Sequence, residues 1–165
     1  MAHTFDIWTE STASVEQIHA AFSREDYWTA RLAVDAASTL NSLTADSDGT
    51  VSVEVIQHVG RQLLPGLVAK VIPGDLSLVH VEKWRVDADG TLRGETRLLA
   101  GGLGSSHAAN WLAPAEGGSR MRSAVKVEVK IPLVGGKLEK SIGAGLAENI
   151  PEIVRFTTAW IAEHE

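Results

Sequence analysis

The sequence predicts an α+β fold: a strand, two short helices, about six antiparallel strands and then one long C-terminal helix. Three features carry that reading. Apolar and polar residues alternate with a period of two through most of Ser38 to Ile131, turn residues punctuate the stretch, and from Leu138 the apolar spacing changes to three and four.

Phe5 and Ile7 face one way from His3 to Thr9 and Thr4 and Asp6 the other, as a half-buried strand requires; Trp8 breaks the pattern. Ser14 and Gln17 have the spacing of a capping box, and Val15, Ile18, Ala21 and Phe22 follow at helical intervals. Ser23 with Asp26 is the expected opening of a second short helix carrying Tyr27, Trp28, Arg31 and Leu32.

Asp46-Ser47-Asp48-Gly49 marks a hairpin turn into a strand over Thr50 to Val59. Val51, Val53, Val55 and Val59 share a face with Gln57, opposed by Ser52, Glu54 and His58. Burial of a valine contributes about 1.5–3 kcal/mol, so the valine face is expected inward. Leu63 to Pro73, bounded by Pro65, Gly66 and Pro73, reads as a turn or short helix. Two further hairpins follow, Leu76 to Val86 with Thr91 to Ala100 around Asp89-Gly90, and Ser105 to Leu112 with Arg120 to Ile131 around Glu116-Gly117-Gly118.

The last of these strands alternates most cleanly, Met121, Ser123, Val125, Val127, Val129 and Ile131 against Arg120, Arg122, Lys126, Glu128 and Lys130. Such a strand has one wet face. Pro132 stops it. Leu138, Ile142, Leu146, Asn149, Ile153, Phe156 and Trp160 then trace one stripe of a long helix, widened by Ile150, Val154, Thr157 and Ile161. Pro151 lacks an N–H and crowds the carbonyl of Ala147, so the helix is expected to bend near residues 147–151 without ending.

The 165 residues and a near-average globular composition suit a single domain over 1–165, and the absence of cysteine excludes disulfides, thiolate metal sites and a cysteine nucleophile. The first residues have neither a basic cluster nor an apolar run, so the cytoplasm is the expected location. Leu98 to Ala115 is uncharged, but its glycines, Asn110 and Pro114 read as strands and a turn, so no stable membrane insertion is expected. Net charge is −6, yet residues 61–140 carry twelve basic against eight acidic side chains. Most of those bases fall on strand positions predicted to face solvent, and with a sole tyrosine the pattern argues against nucleic acid as a partner.

With the elements in this order, the chain resembles the helix-grip architecture of the START-like superfamily, which includes lipid-transfer domains, pollen-allergen-like proteins and polyketide cyclases. Thr-Phe-Asp-Ile-Trp-Thr at the start, the helix pair from Ser14, the Trp84 hairpin and Pro-Leu-Val-Gly-Gly-Lys-Leu-Glu-Lys near the end resemble an uncharacterised bacterial branch of it. The resemblance implies a curved sheet wrapped around the last helix, with a cavity between them for an apolar ligand. It transfers no catalytic set.

Strong chemical signatures are missing: no His pair at zinc-site spacing, no complete dinucleotide fingerprint and no phosphate-binding loop, so neither metal nor cofactor is expected. His80, Glu82 and Trp84 share one strand face, and His107, Ala109 and Trp111 share a face two strands later. Were both faces inward, His80, Glu82 and His107 would be candidates for acid–base work; facing solvent or hydrogen-bonded in the core, they would have none. Val53, Val55, Gln57, Trp84, Trp111, Val125 and Val127 from the strands are candidate ligand contacts. Ile142, Gly145, Asn149 and Phe156 are candidates from the helix, where the Gly143-Ala144-Gly145 run implies either a close strand contact or room for a ligand.

The expected function is carriage of a small hydrophobic molecule, a lipid or polyketide-like compound, between sheet and helix. A cyclase- or dehydratase-type enzyme is the alternative, and a partner-binding module with an apolar patch at Leu63 to Ile72 is a third.

Overall fold

A computed structural model describes residues 2–33, 38–60, 69–70 and 74–164. Seven strands form one antiparallel sheet in the order β1-β7-β6-β5-β4-β3-β2: β1 (His3–Ser11), β2 (Ser38–Ala45), β3 (Val51–Val59), β4 (Leu76–Val86), β5 (Leu92–Leu99), β6 (Gly104–Ala115) and β7 (Gly118–Val129). Each of β2 to β6 pairs with its successor, and β1 closes onto β7 with His3 opposite Val127 and Ser11 opposite Ser119. β1 and β2 are therefore opposite edges. The helices α1 (Val15–Phe22) and α2 (Glu25–Leu32) bridge the width of the sheet between them.

The capping box forms as its spacing requires: the Gln17 N–H donates to Ser14 Oγ, and the Ser14 N–H donates to Gln17 Oε1. The second helix start differs from expectation. Ser23 closes α1, donating its hydroxyl to the carbonyl of Ala20, and α2 opens after Arg24 without a side-chain cap. Asp26 is instead held by the Arg24 guanidinium and the Tyr27 N–H.

Strand alternation sorts the two faces. Val51, Val53 and Val55 are buried, as are Leu92, Leu112, Met121, Val125 and Val127. The opposite face carries Lys83, Arg85, Arg93, Arg97, Arg120, Arg122 and Lys126, all exposed, and acids of β1 meet two of them, Glu10 on Arg120 and Asp6 on Arg122, both at 2.9 Å. The expected turn or short helix at Leu63 to Pro73, and with it the apolar patch, lies outside the described residues apart from 69–70.

The C-terminal helix α3 (Gly135–His164) runs unbroken through Pro151. It is anchored along β1 and at the end of β7. Glu139 accepts the Val129 N–H at 2.8 Å and meets His3 Nδ1 at 2.6 Å, Phe5 lies against Gly143, and Ser11 Oγ bonds Thr158 Oγ1 at 2.6 Å. These anchors centre the buried face on Glu139, Gly143, Leu146 and Ile150, rotating Ile142 of the predicted stripe outward to 40% exposure. At the far end, Trp160 meets Tyr27 edge-on with ring centroids 5.3 Å apart, and Tyr27 in turn packs on Phe22, Trp28 and Phe156. That aromatic cluster fills the space between the helix pair and α3.

Candidate functional site

Between the inner face of the sheet and α3 lies a cavity of about 220 Å³. Its walls are mostly apolar, with Leu98, Ala108, Leu112 and Val125 from the sheet and Leu146 and Ile153 from the helix. Asn149, at its border, is itself exposed.

One wall is polar and tightly organised. His80, Glu82 and Trp84 point inward from alternate positions of β4, as the period of two requires. Glu82 Oε1 accepts the Trp84 indole N–H at 2.9 Å, and Oε2 accepts from Arg31 Nη2 at 2.9 Å and from His80 Nε2 at 2.6 Å. Burial alone would raise the Glu82 pKa, but the adjacent Arg31 charge and the His80 and Trp84 donors outweigh it and hold the carboxyl well below the usual carboxylate range. An ionised carboxylate only accepts, so His80 carries its proton on Nε2.

Trp84 lies flat across β5 because Gly94 has no side chain; a Cβ there would stand 2.4 Å from the indole ring. A second polar set lies on β5 to β7. Asn110 accepts from Ser123 Oγ at 2.7 Å through its carbonyl, and its amide donates to Thr96 Oγ1 at 3.2 Å. Thr96 and Asn110 both border the cavity.

The residues singled out from the sequence divide by location. His80, Glu82, Gln57, Trp84, Val125 and Asn149 border the cavity. Val53, Val55 and Val127 are buried in the surrounding core without reaching it. Phe156 packs on Tyr27 in the aromatic cluster. Gly145 and Ile142 sit on the exposed side of α3.

His107 and Trp111 lie on the outer face of the sheet, contrary to the arrangement in which both aromatic-histidine sets point inward. Ala108, Asn110 and Leu112 take the inward positions of β6, and their odd-numbered neighbours must face out. The Arg122 guanidinium lies over the Trp111 ring, 5.3 Å from its centroid. The glycine question also resolves by position: a Cβ at Gly143 would stand 2.0 Å from the Phe5 ring, whereas nothing lies within 4 Å at Gly145.

Arg31 is the residue that reading the strands misses. It follows Trp28 by three and Tyr27 by four, which puts it on the buried face of α2, and that spacing was the available signal. Its guanidinium lies 4.4 Å from the Trp28 ring centroid and only 12% of its side chain is exposed. Among the described residues no cluster of three or more His, Asp or Glu is placed to hold a metal ion, and no helix is long and apolar enough to cross a membrane.

Sheet, helix pair and the long helix packed against them together define a helix-grip fold. Solved structures with this architecture include Ara h 8.0201 (TM-score 0.59, 14% identity, 99% of each chain covered) and a START superfamily protein from Mycobacterium smegmatis (TM-score 0.50, 16% identity, 100% of this chain and 98% of that one). Residues 6–161 match the family described as "Protein of unknown function (DUF2505)", and the chain belongs to that family. Uncharacterized protein Rv0481c of Mycobacterium tuberculosis H37Rv is 38% identical over 177 aligned positions, with 99% of each chain covered.

Proposed function

We propose that this protein binds and carries a small hydrophobic molecule, a lipid or polyketide-like compound, in the cavity between the sheet and α3. The observation that carries the reading is a mostly apolar volume of about 220 Å³ between the sheet and the helix, partly open to solvent. A folded interior is otherwise close-packed, with few voids larger than a water molecule, so retained space of this size points to an occupant. The size favours a compact ligand over a two-chain lipid.

The test is mass spectrometry of protein purified from its native host, recorded under native and denaturing conditions, with an inventory of the small molecules released. A discrete mass lost on denaturation is the expected result. An empty protein that also fails to take up N-phenyl-1-naphthylamine overturns the reading.

A second reading, an enzyme of the cyclase or dehydratase kind, is favoured by one observation, the 2.6 Å contact of His80 Nε2 with Glu82 at the cavity wall. On this reading Glu82 stays ionised and holds the imidazole, and His80 exchanges the proton. His107, on the outer face, takes no part. Turnover of a candidate substrate that survives His80→Ala unchanged removes the assignment.

A further inference from the structure

We infer that the ligand of this cavity carries a neutral oxygen acceptor, a carbonyl, that the Arg31 guanidinium binds; the inference rests on the ligand-binding reading above and names the class of molecule. Arg31 Nη2 is committed to Glu82, and the guanidinium is fixed against the Trp28 ring. Nη1 is buried and, although the Tyr27 hydroxyl lies nearby, has no protein partner within hydrogen-bond geometry. The Arg31 side chain borders the cavity. A buried donor on a charged group left unmet is costly, so an acceptor supplied from the cavity gains the full difference.

Charge then selects the kind of acceptor. Arg31 and Glu82 already neutralise each other, and Glu82 accepts three donors. A carboxylate head would add an uncompensated charge to a mostly apolar chamber, which burial penalises heavily. A hydroxyl would bring a further donor that must find an acceptor of its own beside the guanidinium, which cannot accept. A carbonyl oxygen accepts from Nη1 and brings no donor of its own.

The experiment is displacement of N-phenyl-1-naphthylamine from the full-length protein by three probes of matched length: 2-nonanone, n-nonane and nonanoate. The ketone is expected to bind at least about tenfold more tightly than the hydrocarbon. In Arg31→Met that preference disappears while the hydrocarbon still binds. Arg31→Met/Glu82→Gln, which leaves no buried charge unpaired, gives the same answer if the single variant fails to fold. Equal binding of ketone and nonane overturns the headgroup assignment but leaves the cavity reading intact. Tightest binding by nonanoate overturns the neutral head. A ketone preference that survives the double variant removes Arg31 from the role, failure of all three probes to displace the fluorophore overturns the carbonyl assignment, and failure of the fluorophore itself to bind overturns the cavity reading.

Discussion

Arg31 on α2 and Glu82 on β4 meet at 2.9 Å across the inner face of the sheet, the guanidinium 12% and the carboxylate 3% exposed. The pair joins the helix bridge to the sheet at the cavity wall. It links stability to the candidate site, because whatever loosens it also frees His80 and Trp84.

Breaking this pair from one side is expected to destabilise the fold by about 3–5 kcal/mol, since Glu82→Leu leaves a buried guanidinium without its counter-charge. The double variant Arg31→Met/Glu82→Leu removes both charges together and is expected to lose less than the two single changes summed. Urea unfolding of the four proteins measures the cycle.

The depressed Glu82 pKa sets a pH dependence with a definite sign. Its ordinary value is 4.5 and the folded value is lower, so the unfolded chain binds the proton more readily. The stabilisation is complete above about pH 4.5 and is lost as pH falls below it. Urea midpoints from neutral pH into acid are expected to fall more steeply for the wild type than for Glu82→Gln, which has no proton to gain there.

The two glycines of α3 are expected to respond in opposite directions. At Gly143 an added methyl meets the Phe5 ring, and Gly143→Ala should cost about 1–3 kcal/mol as overpacking does. At Gly145 the space is open and Gly145→Ala should gain up to about 1 kcal/mol of helix propensity. Phe5→Leu in the Gly143→Ala background should recover part of the loss. Thermal unfolding of the set distinguishes a packing contact from a helix effect.

Filling the chamber should abolish uptake while sparing the fold. Ala108 is buried and borders the cavity, so Ala108→Phe places a ring in empty volume. Bound N-phenyl-1-naphthylamine fluorescence is expected to fall to background. The unfolding midpoint should hold or rise, because apolar surface is covered without displacing neighbours.

Much of this architecture was legible in the chain. The period of two sorted inner from outer face on β3 and β7, Ser14 and Gln17 placed a helix start, and Pro132 followed by three- and four-residue spacing placed α3. These are local rules, and each residue obeys its immediate neighbours. The inward set His80, Glu82 and Trp84 was likewise visible as one face of one strand.

Tertiary structure alone decided which face of β6 turned inward, excluding His107 and Trp111, since that strand alternates without an apolar face strong enough to declare itself. It also decided the rotation of α3, where the contacts of Glu139 with Val129 and Gly143 with Phe5 outweigh the apolar count that favours Ile142. Arg31 reaches Glu82 from 51 residues away. A pattern of periods one turn or one pleat long carries no information about such a distance, because pairing across the sheet is set by how whole elements stack and not by the order of their residues.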